Sequence, residues 1–212
     1  MKQVILILLI GLHILLLSRL IFFPYPELFI YSYLTDQGLL PYKQILDQHF
    51  PGLMFFPVNL HSLGMVTPQD ARILHFGLVS LTHILLFVNA KRLFKSEKWA
   101  LFTNFLYAIW QPFFEGYVLW IDTFVPIFLL GAFYFLQEKS NKPRNLFFSG
   151  LLLGMALLFK QVTMPLILIL GLFLLWKTRE LGSLVFYISG LALPIAILIV
   201  YILSIGVWQD FI

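Results

Sequence analysis

The 212-residue sequence contains no cysteine, which excludes disulfides, thiol nucleophiles and cysteine metal sites together. Charge is scarce as well: 11% of the residues are Asp, Glu, Lys or Arg, against roughly 25% in an ordinary soluble domain. So few charged side chains cannot cover a water-soluble protein of this size. No glycine-rich phosphate loop, HExxH pair or nucleophile elbow occurs, which argues against a P-loop ATPase, a zinc protease or a serine hydrolase of the usual kinds. The histidines show no clear metal-ligand spacing. His75 and His83 are eight residues apart, near one face of a helix but two turns distant, which is far for ligands of one ion. The net charge of +4 is scattered between apolar runs instead of gathered on one face, so no nucleic-acid partner is expected.

What is present is apolar. Hydrophobic residues make up 60% of the chain and its mean hydropathy is +0.92, values that describe an all-α, polytopic membrane bundle. The run from Val4 to Phe23 has about the 20 residues a spanning helix needs, and PYPE follows it where a signal peptide would have small residues at a cleavage site. Further spans are expected over 71–94, 99–114, 121–136 and 183–205. The stretch from Leu146 to Trp176, interrupted at Lys160-Gln161, suits two short helices joined by a polar turn. Thr67-Pro68-Gln69-Asp70 has the residues of a helix start, with Thr67 as N-cap and Pro68 at the first position. Gly150 and Gly154 form GxxxG, a spacing that lets helices approach closely. The reading is about seven spans in one transmembrane domain, 1–212, expected to continue beyond Ile212 as part of a longer enzyme.

Charge distribution tests that arrangement. With the N-terminus in the cytoplasm, Lys2, Lys91, Arg92, Lys95, Lys98, Lys139, Lys142, Arg144, Lys177 and Arg179 fall inside, ten of the fourteen basic residues. Arg19, Lys43, Arg72 and Lys160 fall outside. The positive-inside rule favours this orientation. Acids show the opposite bias, with Glu27, Asp36, Asp47, Asp70, Glu115, Asp122 and Asp210 outside. Insertion does not require that bias, so the outer face is expected to carry the chemistry.

The segment 24–57, PYPELFIYSYLTDQGLLPYKQILDQHFPGLMFFP, is read as a large first outer loop of interfacial helices, its aromatic rings suited to the membrane surface. Leu53 to Met65 is expected as a re-entrant or interfacial helix ending at Gly64. A carboxylate just beyond the first span, Glu27, another at the outer start of a later span, Asp122, and the cations Arg72 and Lys160 converge on the same face. Those residue types suit glycosyl transfer from a lipid phosphate: a carboxylate takes the proton of an acceptor hydroxyl, and cations stabilise the departing phosphate. Lys160 between two apolar half-helices costs roughly 2.5 to 3.5 kcal/mol on insertion scales unless it meets water or an anion.

In this order the features resemble the GT-C glycosyltransferases, in particular the protein O-mannosyltransferase and lipid A aminoarabinose transferase group. The residues that carry the resemblance are Glu27 after the first span, DQGLLPYKQILDQHFPGLMFFP in the outer segment, Arg72, Asp122 and GLLLGMALLFKQ with Lys160. The resemblance implies a polyprenyl-phosphate-linked sugar as donor, a lipid, glycan or protein acceptor, Glu27 as base or acceptor-binding group, and the multi-pass setting of a bacterial or archaeal cell membrane. No cofactor is called for, and a divalent metal is compatible. Pro26-Glu27-Leu28 departs from the paired acids common at that first site. The competing classes are a transporter, in which the broken element at Lys160 would line a substrate path, and a structural membrane subunit.

Overall fold

The computed structural model describes residues 2–114, 116–137 and 142–212; the expectations for Glu115 and Lys139 lie outside the described residues. The architecture is an all-α membrane helix bundle. Its helices are α1 (Lys2–Arg19), α2 (Glu27–Asp36), α3 (Pro68–Phe94), α4 (Glu97–Trp110), α5 (Val125–Leu136), α6 (Pro143–Phe159), α7 (Met164–Thr178), α8 (Leu181–Ser204) and α9 (Trp208–Phe211). Among the described residues, three helical stretches, Pro68–Phe94, Gln161–Thr178 and Leu181–Ser204, are long and apolar enough to cross a membrane; Gln3–Arg19, Ile121–Leu136 and Pro143–Phe159 are apolar but shorter.

Local chemistry accounts for the element ends. Thr67 caps α3: its hydroxyl accepts from the Asp70 amide while the Asp70 carboxylate accepts from the Thr67 amide, with Pro68 at the first position. This reciprocal pairing satisfies two amides that have no helical partner. Ser96 caps α4 without the reciprocal bond, its hydroxyl accepting from the Trp99 amide. At Lys160 the backbone turns extended, closing α6, and one 3₁₀ turn over Gln161–Thr163 leads into α7, which is the interrupted pair expected from the sequence.

The tightest crossing is between α6 and α8. A Cβ on Gly150 would stand 2.0 Å from the Tyr187 carbonyl oxygen, and one on Gly190 would stand 2.0 Å from that of Phe147. At Gly154 the nearest atom is the Leu191 carbonyl oxygen, at 2.7 Å. The GxxxG spacing therefore does serve packing, and Gly190 on the facing helix answers it.

The outer segment differs from its expected form. Only α2 is helical within it, and 53–65 is a succession of turns instead of an interfacial helix. Part of its apolar side chains is buried: Leu28, Leu53 and Met54 are wholly enclosed with Leu119, Phe159 and Ile202 in one core, while Ile30, Tyr33 and Leu46 are exposed. Pro51, Gly52 and Pro57 break the helical pattern, and burial against the ends of α6 and α8 stabilises the turns. The Gly52 amide donates to the Leu158 carbonyl at 2.9 Å, an approach that leaves no room for a Cβ, which would stand 2.4 Å from that oxygen.

Candidate active site

Helix alternation collects one set of helix ends at a single end of the bundle: the C-termini of α1, α4, α6 and α8 and the N-termini of α2, α3, α5 and α7. The segment after α1 is tied to the segment after α4 by a two-residue parallel ladder, β1 (Phe23–Pro24) against β2 (Val118–Leu119), extended by the Tyr25 amide donating to the Leu119 carbonyl at 3.2 Å. This ladder brings Tyr25 and Glu27 beside Trp120, whose ring centroid lies 4.5 Å from that of Tyr25.

Two cavities flank Trp120. The first, of about 530 Å³, is lined by Glu27, Asp47, His49, Asp210 and the rings of Tyr25, Tyr31, Tyr42 and Trp120. Glu27 begins α2, where a carboxylate is favoured by the amides of the first turn, and its Oε2 is buried without a hydrogen-bond partner. The second, about 290 Å³, is lined by Tyr107, Gln111, Gly116, Trp120, Asp122 and Thr123 among others. Asp122 stands in a 3₁₀ turn (Ile121–Thr123) anchored by buried Ile121 and by the Thr123 hydroxyl donating to the Val118 carbonyl.

Of the four residues singled out in the sequence, two are in contact: the Lys160 ammonium is paired with the Asp122 carboxylate. Glu27 lies on the other side of Trp120. Arg72 lines neither cavity; its Nη2 donates to the Leu20 carbonyl at 3.2 Å and its guanidinium lies over the Phe22 ring, 5.3 Å from the centroid. Asp36 is elsewhere again, in a cluster with Asn59, His61 and Ser62, where the hydrogen bonds from His61 and then Ser62 hold its carboxyl below the usual carboxylate range.

Sequence reasoning did not single out the Asp47–His49 pair or Asp210 as site residues. Asp47, with 8% of its side chain exposed, accepts at Oδ1 from both the amide of His49, at 2.6 Å, and its ring Nδ1, at 2.8 Å. The His49 ring stands edge-on to Trp120, with centroids 5.4 Å apart. Burial, then the nearby Asp47 and Glu27 carboxylates, push the Tyr31 phenol up, and burial does the same at Tyr42, so both remain neutral hydroxyl groups. The i, i+2 spacing of Asp47 and His49 was the available signal; Asp210 gave none, since α8 and α9 return it to the cavity only in three dimensions.

Glu27 thus carries an oxygen without a protein partner in an aromatic cavity, and a second carboxylate paired with an ammonium lies beyond one indole. The family model for dolichyl-phosphate-mannose-protein mannosyltransferases matches residues 49–203, nearly three quarters of the chain. The chain belongs to that family. Arg72, Asp122 and Lys160 lie within the matched residues and Glu27 lies before them. No curated protein and no solved structure matches the chain. Membership in the mannosyltransferase family makes this a membrane glycosyltransferase of the type that draws on a polyprenyl-phosphate-linked sugar, and the family description names a protein acceptor.

Proposed function

We propose that this glycosyltransferase moves a sugar from a polyprenyl phosphate to an acceptor hydroxyl at the outer face of the membrane by a single inverting displacement, with the N-terminus in the cytoplasm. The acceptor oxygen forms a bond to the anomeric carbon as the bond from that carbon to the phosphate oxygen breaks, and the lipid phosphate leaves with the electron pair. The hydroxyl proton passes to Glu27. The observation that carries this reading is the buried Oε2 of Glu27 on the wall of the aromatic cavity, an acceptor that no protein group satisfies. Aromatic faces such as Trp120 and Tyr25 offer an apolar floor for a sugar ring.

Lys160 meets the donor phosphate in this reading, and Asp122 is its counter-charge until the donor arrives. Once the phosphate replaces it, the Asp122 carboxylate is available to orient the acceptor. Arg72 would have to leave Leu20 and Phe22 to reach a phosphate, so the phosphate contact rests on Lys160. Incubating membranes with a radiolabelled polyprenyl-linked sugar tests the transfer. Glu27→Gln should lower the transfer rate by about 10² to 10⁴, the usual contribution of a general base, with donor binding retained. Transfer at the parental rate in that variant would remove Glu27 as the base. Uptake of label into sealed vesicles without transfer would instead identify a transporter.

A further inference from the structure

A second polar assembly lies away from the cavity of Glu27, buried where α1, α3 and α4 meet. His13, from α1, and His83, from α3, are 1% and 0% exposed, with His13 Nδ1 2.9 Å from His83 Nε2. The outer nitrogen of each ring faces an amide oxygen: His83 Nδ1 is 2.7 Å from Asn104 Oδ1, and His13 Nε2 is 3.0 Å from Gln111 Oε1. Both amides are oriented by backbone carbonyls that take their nitrogens. Asn104 Nδ2 donates to the Ala100 carbonyl at 2.9 Å, and Gln111 Nε2 donates to the Gly116 carbonyl at 2.8 Å. Neither amide can turn without setting oxygen against oxygen.

Proton counting follows from this geometry. The series from Asn104 through His83 and His13 to Gln111 has three contacts, and an acceptor oxygen closes it at each end. Two neutral imidazoles carry two N–H protons. Every neutral arrangement therefore leaves at least one of the three contacts, each 3.0 Å or shorter, with two lone pairs face to face. Three protons on the four ring nitrogens satisfy all of it: His83 Nδ1–H donates to Asn104, His13 Nε2–H donates to Gln111, and one proton lies between the rings. Burial opposes the charge, and each ring repels a charge on the other, so the pair takes one added proton and not two.

We propose that the His13–His83 pair is a binding site for one proton, held between the Asn104 and Gln111 amide oxygens and fastening α1 to the bundle. Among the described side chains of α1, only His13 and Leu17 are buried, so this assembly is the principal polar hold on that helix. The groups around it are accounted for element by element. From α4, Tyr107 stands edge-on to both rings, with centroids 5.6 and 4.8 Å away. From α3, His75 points its Nε2 at the Gly116 carbonyl, 2.8 Å away, and Arg72 turns to Leu20. Gln111 and Tyr107 also line the cavity of Asp122, which provides the route by which the proton exchanges.

Nitrogen-15 NMR of the full chain, histidine-labelled and held in lipid nanodiscs at neutral pH, reads the count directly, with signals assigned by His13→Gln and His83→Gln. The expected result is three protonated nitrogens of four, one proton coupled to both rings. Gln111→Leu removes one terminal acceptor, so two protons then satisfy the two remaining contacts and the count should fall from three to two. Two protons in the parent chain, or three persisting in Gln111→Leu, would overturn the proposal. Should Gln111→Leu not fold, the parental count decides alone.

Discussion

The Lys160–Asp122 pair joins the groups assigned to phosphate and acceptor in one contact. With 27% of the Lys160 side chain and 59% of that of Asp122 exposed, the pair is too solvated to contribute much to stability. Its exposure leaves the ammonium free to exchange one anion for another. Lys160→Met should weaken donor binding by about ten- to a hundredfold, the loss of one hydrogen bond to a charged group, while the protein still inserts and folds; binding of a polyprenyl phosphate to the purified variant measures it. Asp36 gives a pH prediction of the opposite kind. Its folded carboxyl titrates below the unfolded value because of His61 and Ser62. The stability this adds is present above the unfolded aspartate value, about 3.9, and disappears as pH falls through the lower folded value. Hydrogen exchange at Asn59–Ser62 should accelerate in that acid range, and Asp36→Asn should show the faster exchange already at neutral pH.

Elements are positioned here by close backbone approach more than by hydrophobic stripes, because inside a bilayer lipid tails are as apolar as leucine and small residues decide which helices meet. Gly190→Val would drive side-chain atoms against the Phe147 carbonyl, where even a Cβ would lie at 2.0 Å. Overpacking of this kind costs about 1 to 3 kcal/mol and more where backbone must move. A lowered unfolding temperature in detergent should report it, whereas Gly182→Ala, with open space around its position, should leave the temperature unchanged. The cap of α3 is a smaller device: replacing such an N-cap costs typically about 1 kcal/mol, which orders the two effects.

For the whole molecule the testable quantity is orientation. Arg92 near the end of α3 donates to the Tyr134 carbonyl near the end of α5, and Lys91 pairs with Glu97 at the start of α4. This basic end is opposite the end with Glu27, Asp122 and Lys160. Single cysteines introduced into the cysteine-free chain at 95–96, between α3 and α4, should resist an impermeant reagent applied from outside, and cysteines near Lys43 should react. Labelling of 95–96 from outside would reverse the topology and move the proposed site to the cytoplasmic face.

The sequence by itself determined the helical membrane class, the break at Lys160, the cap at Thr67 and the asymmetry of basic residues, because each depends on neighbours within a few residues or on composition. It also singled out Asp122 and Lys160 as candidates, though not that they pair with each other, since 38 positions separate them. Only the tertiary structure decided that Glu27 shares its cavity with Asp47, His49 and Asp210, that Arg72 faces Leu20, and that 53–65 is a succession of turns. It also joined His13 to His83, which lie 70 positions apart in the sequence. These are long-range outcomes: a two-residue ladder after α1 and α4 and glycine contacts between α6 and α8 choose which helix ends meet. Such pairings leave no period or spacing in the chain, because the free energy that selects them comes from surfaces that touch only once the bundle has closed.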